Sequence, residues 1–413
     1  MWATWVKPGT VSRAPPYTHL KRMAISEVGV VGGGIAGCTI AYELARRGLK
    51  VTLFERGPIA GEASGRNMGL LLNQTEPGVV SIMRRSLEIY RELAKGEVEF
   101  QLREVPQLVV ATDESQFAAM SKRAFEMRAV GMQVEEVGAA EVRRNFPALG
   151  PRFSGGHLIG NAWMLDPAPA TIAFAQAARA AGAEVRTGDR VAQVAVGGGR
   201  VQGLVTDSGR HAFDAVVLAA GPWLPDLWRP APVSVGRGWV LRTGRLGFRL
   251  PWIVEDSGWP DQDQLGRVSR PPTLGEVAGG HDEPVVQAFV IAQLPGGEAL
   301  VGASLSPSLR DAYEGVDMPR RIAAHALAAA PGLAEIPITA SWFGLRPMTP
   351  DGMPLAGPAG PVGLWVHGGH GSIGMMTAPA LAGWLAKAIA DGVEVPELAN
   401  LRMGRFGLPA GAG

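Results

Sequence analysis

Gly32, Gly34 and Gly37 and the acid Glu55 carry the first chemistry legible in this chain. The glycines follow the apolar run at 28–31 in G-x-G-x-x-G spacing, and Glu55 closes a second apolar run, 51–54, 21 residues after Gly34. A pyrophosphate can be held by such a set. The first glycine allows a tight turn, the second lets backbone approach phosphate, and the third lets helix and strand pack closely. The helix that starts there offers free N–H groups and a positive dipole end. Glu55 would accept hydrogen bonds from an adenosine ribose and repel a 2′-phosphate, which disfavours NADP. The motif leaves NAD and FAD open.

Two more stretches could meet a ligand. The loop 57–74 carries Gly61, Ser64, Gly65, Arg66, Asn67 and Gly69, small residues that permit close backbone approach, with Ser64 and Arg66 able to reach phosphate. Near the C-terminus, Gly368-Gly369-His370-Gly371-Ser372-Ile373-Gly374 opens a closing helix, 375–390. A second helix N-terminus therefore points at something.

The elements that must position these residues follow from periodicity. Buried strands at 28–31 and 51–54 flank a first helix ended by Gly48. Helices are expected at 79–95, 114–130 and 139–145, and Asp166-Pro167 starts an Ala-rich helix that runs to Gly182. Strands at 184–185, 191–196 and 201–206 lead into the fully apolar strand 215–218, which ends in Ala219-Ala220-Gly221-Pro222-Trp223. From Val235 the pattern changes to a second, mostly sheet region. It has a loop-rich stretch to about 283 holding Trp252 and Trp259, paired strands at 285–291 and 299–303, and a helix at 319–330. A last apolar strand is expected at 362–366.

Composition bounds the answer. The 413 residues suffice for two or three domains with a large core. With 39 basic against 38 acidic residues, charge gives no case for nucleic acid or an acidic membrane surface. The 56 glycines and 32 prolines are many, but 46% hydrophobic content indicates a packed, loop-rich globular protein. Cys38, the single cysteine, rules out intramolecular disulfides and cysteine metal clusters, and it falls on the buried face of the first helix. No metal site is expected. No apolar run approaches the roughly 18 residues that cross a bilayer. The first 27 residues form an N-terminal extension without the pattern of a secretory signal, so a cytoplasmic protein is the default and Met23 is a candidate true start.

In order along the chain, VGVVGGGIAG, ASGRNMG (63–69), LDP before the Ala-rich helix, VVLAAGPW, VGRGWVL, GLRPMTPDGMP and GGHGSIGMM resemble the D-amino acid oxidase family of FAD-dependent oxidoreductases, which includes glycine oxidase and sarcosine oxidase. The resemblance covers nearly the whole chain. It implies an α/β protein in which a Rossmann-like FAD-binding domain (28–98, 152–232 and 341–413) is interleaved with an α+β substrate domain (99–151 and 233–340) containing a large mixed, mostly antiparallel sheet. Gly32, Gly34, Ile35, Ala36, Gly37, Glu55 and Arg56 would hold the ADP half of FAD. Ser64, Arg66, Asn67 and Met68 would lie along pyrophosphate and isoalloxazine, Val191 would meet adenine through its backbone, and Ala220, Gly221 and Trp223 would flank the cofactor. Gly369, His370, Gly371, Ser372, Ile373 and Gly374 would face the flavin pyrimidine edge.

In the amino acid oxidase branches the Arg of GLRP binds the substrate carboxylate, which here is Arg346. A planar guanidinium suits that bidentate grip; the competing reading is a structural ion pair with a residue such as Asp351. Trp239, Trp252, Trp259 and Trp342 are candidate apolar walls in place of the tyrosines of the D-amino acid oxidases, since beyond Tyr90 only Tyr313 remains. Sarcosine-type enzymes use active-site lysines and a cysteine bonded to FAD. Here no lysine lies between Lys122 and Lys387 and the cysteine region reads Met348-Thr349, so FAD is expected to be noncovalent. The resemblance implies oxidation of a small amino acid or secondary amine by hydride transfer to flavin, with oxygen or a quinone-type acceptor and room for a homo-oligomer. Two other readings stay open: a 2-hydroxy acid or glycerol-phosphate-type dehydrogenase, and a non-catalytic flavin-binding subunit.

Overall fold

The computed structural model describes residues 25–72, 77–111, 114–153, 155–256, 286–307 and 317–407. The fully apolar strands find places where both faces are covered. Glu27–Val31 lies between Lys50–Glu55 and Ala215–Leu218, parallel to both. Leu364–Gly368 and Glu184–Thr187 extend this sheet in parallel, and Leu355–Pro358 adds one antiparallel edge. Continuous Val, Leu and Ile runs are what a sheet buried on both sides demands.

One face of that sheet packs against helices Ile35–Ala45, Pro167–Ala180 and Gly374–Asp391, which share a single apolar core. Small residues, among them Ala41, Ala170, Ala378 and Ala382, bring the helices close together. The other face is covered by the antiparallel meander Val191–Gly197, Arg200–Thr206 and Gly209–Ala212, through Val194, Val201 and Leu204.

The second sheet has eight strands. Their order is Ile338–Met348, Ser234–Arg245, Glu298–Pro307, Val286–Gln293, Ile253–Asp256, Gln107–Ala111, Gly155–Ile159 and Val134–Gly138. All neighbours are antiparallel except Ile253–Asp256 with Gln107–Ala111. On one face Leu241, Val254, Phe289 and Val301 form a core with Met318, Ile322 and Ala326 of helix Asp317–Ala329. The opposite face borders a large cavity. The architecture is the mixed α/β arrangement with a large mixed sheet that the sequence implies.

Several elements differ from the sequence reading. Ala63–Arg66 is a short helix rather than loop, and Ile253–Asp256 is a strand inside the stretch read as loop. Val134–Gly138 and Gly155–Ile159 also escape detection. Their apolar residues are few and interrupted by Glu135, Glu136, two glycines and His157, so neither alternation nor an apolar run stands out. Pairing with neighbours, not intrinsic pattern, makes these strands. Trp259, Tyr313 and residues 1–24 lie outside the described residues. Among the described residues no helix is long and apolar enough to cross a membrane.

Candidate active site

The glycine turn is held from three directions. Glu55 accepts a hydrogen bond from Gly33 N–H at 2.5 Å and a second from Gly57 N–H at 2.8 Å, so the acid fastens the turn to the loop beyond its own strand. Ser64 Oγ accepts the Ile35 N–H at 2.9 Å, at the first position of helix Ile35–Ala45. Gly37 sits directly on the turn, and a Cβ there would overlap the Gly32 carbonyl oxygen. Arg56 stacks 3.9 Å above the Trp223 ring, linking the segments that follow the two strands on either side of Glu27–Val31.

From this turn a cavity of about 1400 Å³ runs to the C-terminal glycine loop and the large sheet. Gly32, Gly34, Ile35, Ala36, Glu55 and Arg56 line it, with Ser64, Arg66, Asn67, Met68, Val191, Ala220, Gly221 and Trp223. Arg346, His370, Gly371, Ser372, Ile373 and Gly374 border its far part. Gly37 and Gly369 stand behind the lining, one as the helix contact and the other in a turn with φ +62°. Two N–H groups of the glycine loop are already used: Gly371 donates to Pro347 and Ile373 to His370.

Arg346 lies on strand Ile338–Met348 opposite Gly236 of Ser234–Arg245. Its guanidinium lies against Gly238, where any Cβ would occupy the same space, which explains glycine between Arg237 and Trp239. Nη1 donates to the Ser304 carbonyl at 3.0 Å. Burial pulls its pKa down to about 10, still cationic at neutral pH, and no carboxylate among the described residues offsets that charge. Asp351 is not its partner. That carboxylate is taken by Arg405, at 2.6 and 3.0 Å.

His367 and His370 meet edge to face, with ring centroids 4.9 Å apart, both buried against helix Gly374–Asp391. His370 Nδ1 is 3.0 Å from Thr377 Oγ1, and that hydroxyl donates to the Ile373 carbonyl. Nδ1 therefore donates and Nε2 is left without a hydrogen bond. Burial lowers the His367 pKa to about 4 and the His370 pKa well below its ordinary value. Both rings are neutral when folded, so unfolding takes up protons below about pH 6.5. Stability is complete above that pH and lost as the pH falls toward 4. From His367 alone the loss is about 3 kcal/mol. Urea unfolding of wild type between pH 7 and 4.5 is expected to show a drop that is smaller in His367→Gln.

The tryptophan walls need correction. Trp252 is buried in the core on the other face of the sheet, and Trp239 packs against that core and Phe343. Neither lines the cavity among the described residues. Trp342 donates its indole N–H to the Arg66 carbonyl at 2.9 Å, bracing the short helix instead of walling a substrate. The cavity is bordered there by Met68, Val240, Val290, Ala303 and Met348. Sequence reasoning also missed Glu255, Gln107 and His157, all on the cavity face of the sheet. Gln107 donates to Glu255 at 2.5 Å, and burial raises the Glu255 carboxyl above its usual range. The one signal was an acid directly after the β-branched pair Ile253-Val254.

The residues present fit a flavin dinucleotide. A glycine turn at a helix start occupies one end of the cavity, a second helix start the other, and the space between exceeds the ~300–1,000 Å³ of ordinary small-ligand pockets. A family model described as FAD dependent oxidoreductase (DAO) matches residues 27–388. The chain is 29% identical over 370 residues to glycine oxidase of Pseudomonas aeruginosa, covering 86% of this chain and 93% of that one. It is 27% identical over 438 residues to D-amino acid dehydrogenase of Sinorhizobium medicae, covering 92% and 99%. In structure it is similar to glycine oxidase from Geobacillus kaustophilus, with a TM-score of 0.78 at 24% identity over 93% of this chain and 99% of that one.

Proposed function

The chain belongs to the family of FAD-dependent oxidoreductases, and from that premise we propose that it oxidises an amino acid or N-alkyl amino acid at the α-carbon. Arg346 carries the reading. It is a cation beside the cavity, fixed by Ser304 and Gly238 and without a carboxylate partner among the described residues. An uncompensated buried charge is costly, and a substrate carboxylate is what completes it. The names of the relatives, glycine oxidase and D-amino acid dehydrogenase, support the same class.

In this reading Arg346 grips the carboxylate bidentately and sets the α C–H toward the glycine loop that starts helix Gly374–Asp391. Glu55, Ser64 and Gly37 shape the turn that holds the ADP half of the noncovalent cofactor. The isoalloxazine, when bound, would supply the acceptor for the hydride lost from the α-carbon. The substrate amine enters neutral and, having lost the hydride, leaves as an iminium ion, which water hydrolyses. Met68, Val240, Ala303 and Met348 keep water from the reacting carbon. His367 and His370, neutral and buried, serve packing and carry no proton in this scheme. The cofactor side would comprise 28–98, 152–232 and 341–413, and the substrate side 99–151 and 233–340.

The test is a turnover panel of glycine, D- and L-amino acids, N-methyl and cyclic amino acids and 2-hydroxy acids, read for peroxide and for dye reduction. Turnover of amines in either assay is expected, and the responding assay assigns oxygen or a quinone-type acceptor. Turnover of hydroxy acids alone would replace the reading with an alcohol dehydrogenase. Inertness until a second polypeptide is added would make the chain a subunit.

A further inference from the structure

The cavity continues beyond Arg346 across the large sheet. Its far floor is formed by residues that the register places side by side: Glu255 opposite Val109, and Val109 opposite His157. Gln107 lies two residues from Val109 on the same face. Helix Glu114–Ala129 covers this lobe through Met120, Ala124 and Met127.

Two polar groups here are built in at a cost. His157 is 2% exposed and neither ring nitrogen makes a hydrogen bond; Glu136 lies 3.7 Å from Nε2, too far for one. Burial keeps its imidazole neutral and thus able to accept. Glu255 receives one hydrogen bond from Gln107, and Arg123 of the covering helix, which also lines the cavity, acts on it through space without an ion pair within 4 Å among the described residues. Buried groups left unsatisfied cost free energy unless a ligand completes them. Glu255 and His157 stand two strands apart, about 10 Å, with apolar Val109 between them. A donor-rich cation lying on Val109 can reach both. No set of three or more His, Cys, Asp or Glu able to hold a metal occurs among the described residues.

We propose that Glu255, with His157, forms a side-chain subsite that selects amino acids ending in a guanidinium or ammonium group. This rests on the reading of Arg346 as the carboxylate grip. Arg346 lies over strand Ser234–Arg245, and three strand spacings separate that strand from Ile253–Asp256, about 14 Å. An extended basic amino acid with a hydrogen bond of about 3 Å at each end has that reach. Norleucine would leave both groups unpaired.

The test compares arginine with norleucine, each as both enantiomers, on wild type and on Glu255→Gln, a substitution that keeps shape while removing charge. Flavin content confirms that the variant is folded. The wild-type kcat/KM is expected to favour arginine by on the order of a hundredfold, and Glu255→Gln to cut that ratio by a similar factor. A wild-type preference for norleucine, or an unchanged ratio in the variant, overturns the subsite. If neither amino acid is oxidised, the substrate panel decides the oxidation reading and calorimetry decides the subsite. Tighter binding of 5-guanidinovalerate than valerate, lost in Glu255→Gln, upholds it, and equal binding in both proteins overturns it.

Discussion

Gly37→Ala is expected to yield protein that has lost most of its FAD. A Cβ at this position overlaps the Gly32 carbonyl oxygen, which is backbone and cannot swing aside. Helix Ile35–Ala45 must then back away from strand Glu27–Val31, and the Ile35 N–H at its start leaves the cavity end where Ser64 holds it. Overpacking of this kind costs about 3 kcal/mol, equivalent to roughly a hundredfold in cofactor affinity if the strain falls on the bound state. The check is flavin absorbance per protein after dialysis, beside thermal unfolding of the same samples. Gly247→Ala is the control, since an added Cβ there meets nothing within 4 Å. Full flavin retention in Gly37→Ala would mean that the turn is not the dinucleotide anchor.

Arg346→Ala should cost about 3 kcal/mol of transition-state binding, roughly a hundredfold in kcat/KM, while flavin content stays near wild type. The guanidinium touches Ser304 and Gly238, and Arg346 lines the cavity. Removing it takes away the charge-assisted contact to a carboxylate but leaves the sheet pairing of Arg346 with Gly236 intact. Arg346→Lys should recover only part of the loss, because an ammonium cannot make the planar two-point contact. Comparison of an amino acid with its decarboxylated amine sharpens the result. The two substrates should become nearly equal in Arg346→Ala, and an undiminished preference for the acid would place the carboxylate elsewhere.

How much of this was legible in the sequence depended on whether the signal was local. The turn at Gly32 to Gly37, the acid at Glu55 and the helix after Asp166-Pro167 are written in consecutive residues whose conformations depend on their neighbours in the chain. They appear in the structure where spacing puts them. What local pattern could not supply was the face a side chain takes. Trp239 and Val240 are adjacent on one strand and point to opposite sides of the sheet, so Trp239 joins the core while Val240 borders the cavity. Bulk apolar character invited the wrong choice, because both sides of that sheet are apolar. The partner of Asp351 was likewise out of reach, since Arg405 lies 54 residues away and meets it only after the last helix turns back. Glu255 and His157 became visible only through register, which brings strands 107–111, 155–159 and 253–256 together across long separations.

The central claim, that an amino acid held by Arg346 delivers its α-hydrogen to a flavin in this cavity, is tested most directly by anaerobic titration of the holoenzyme. The oxidised flavin's visible band is monitored while amino acids are added in turn. Bleaching by at least one amino acid, slowed when its α-hydrogen is replaced by deuterium, is the predicted result. A band that no amino acid or amine bleaches, or that bleaches with 2-hydroxy acids alone, would contradict it.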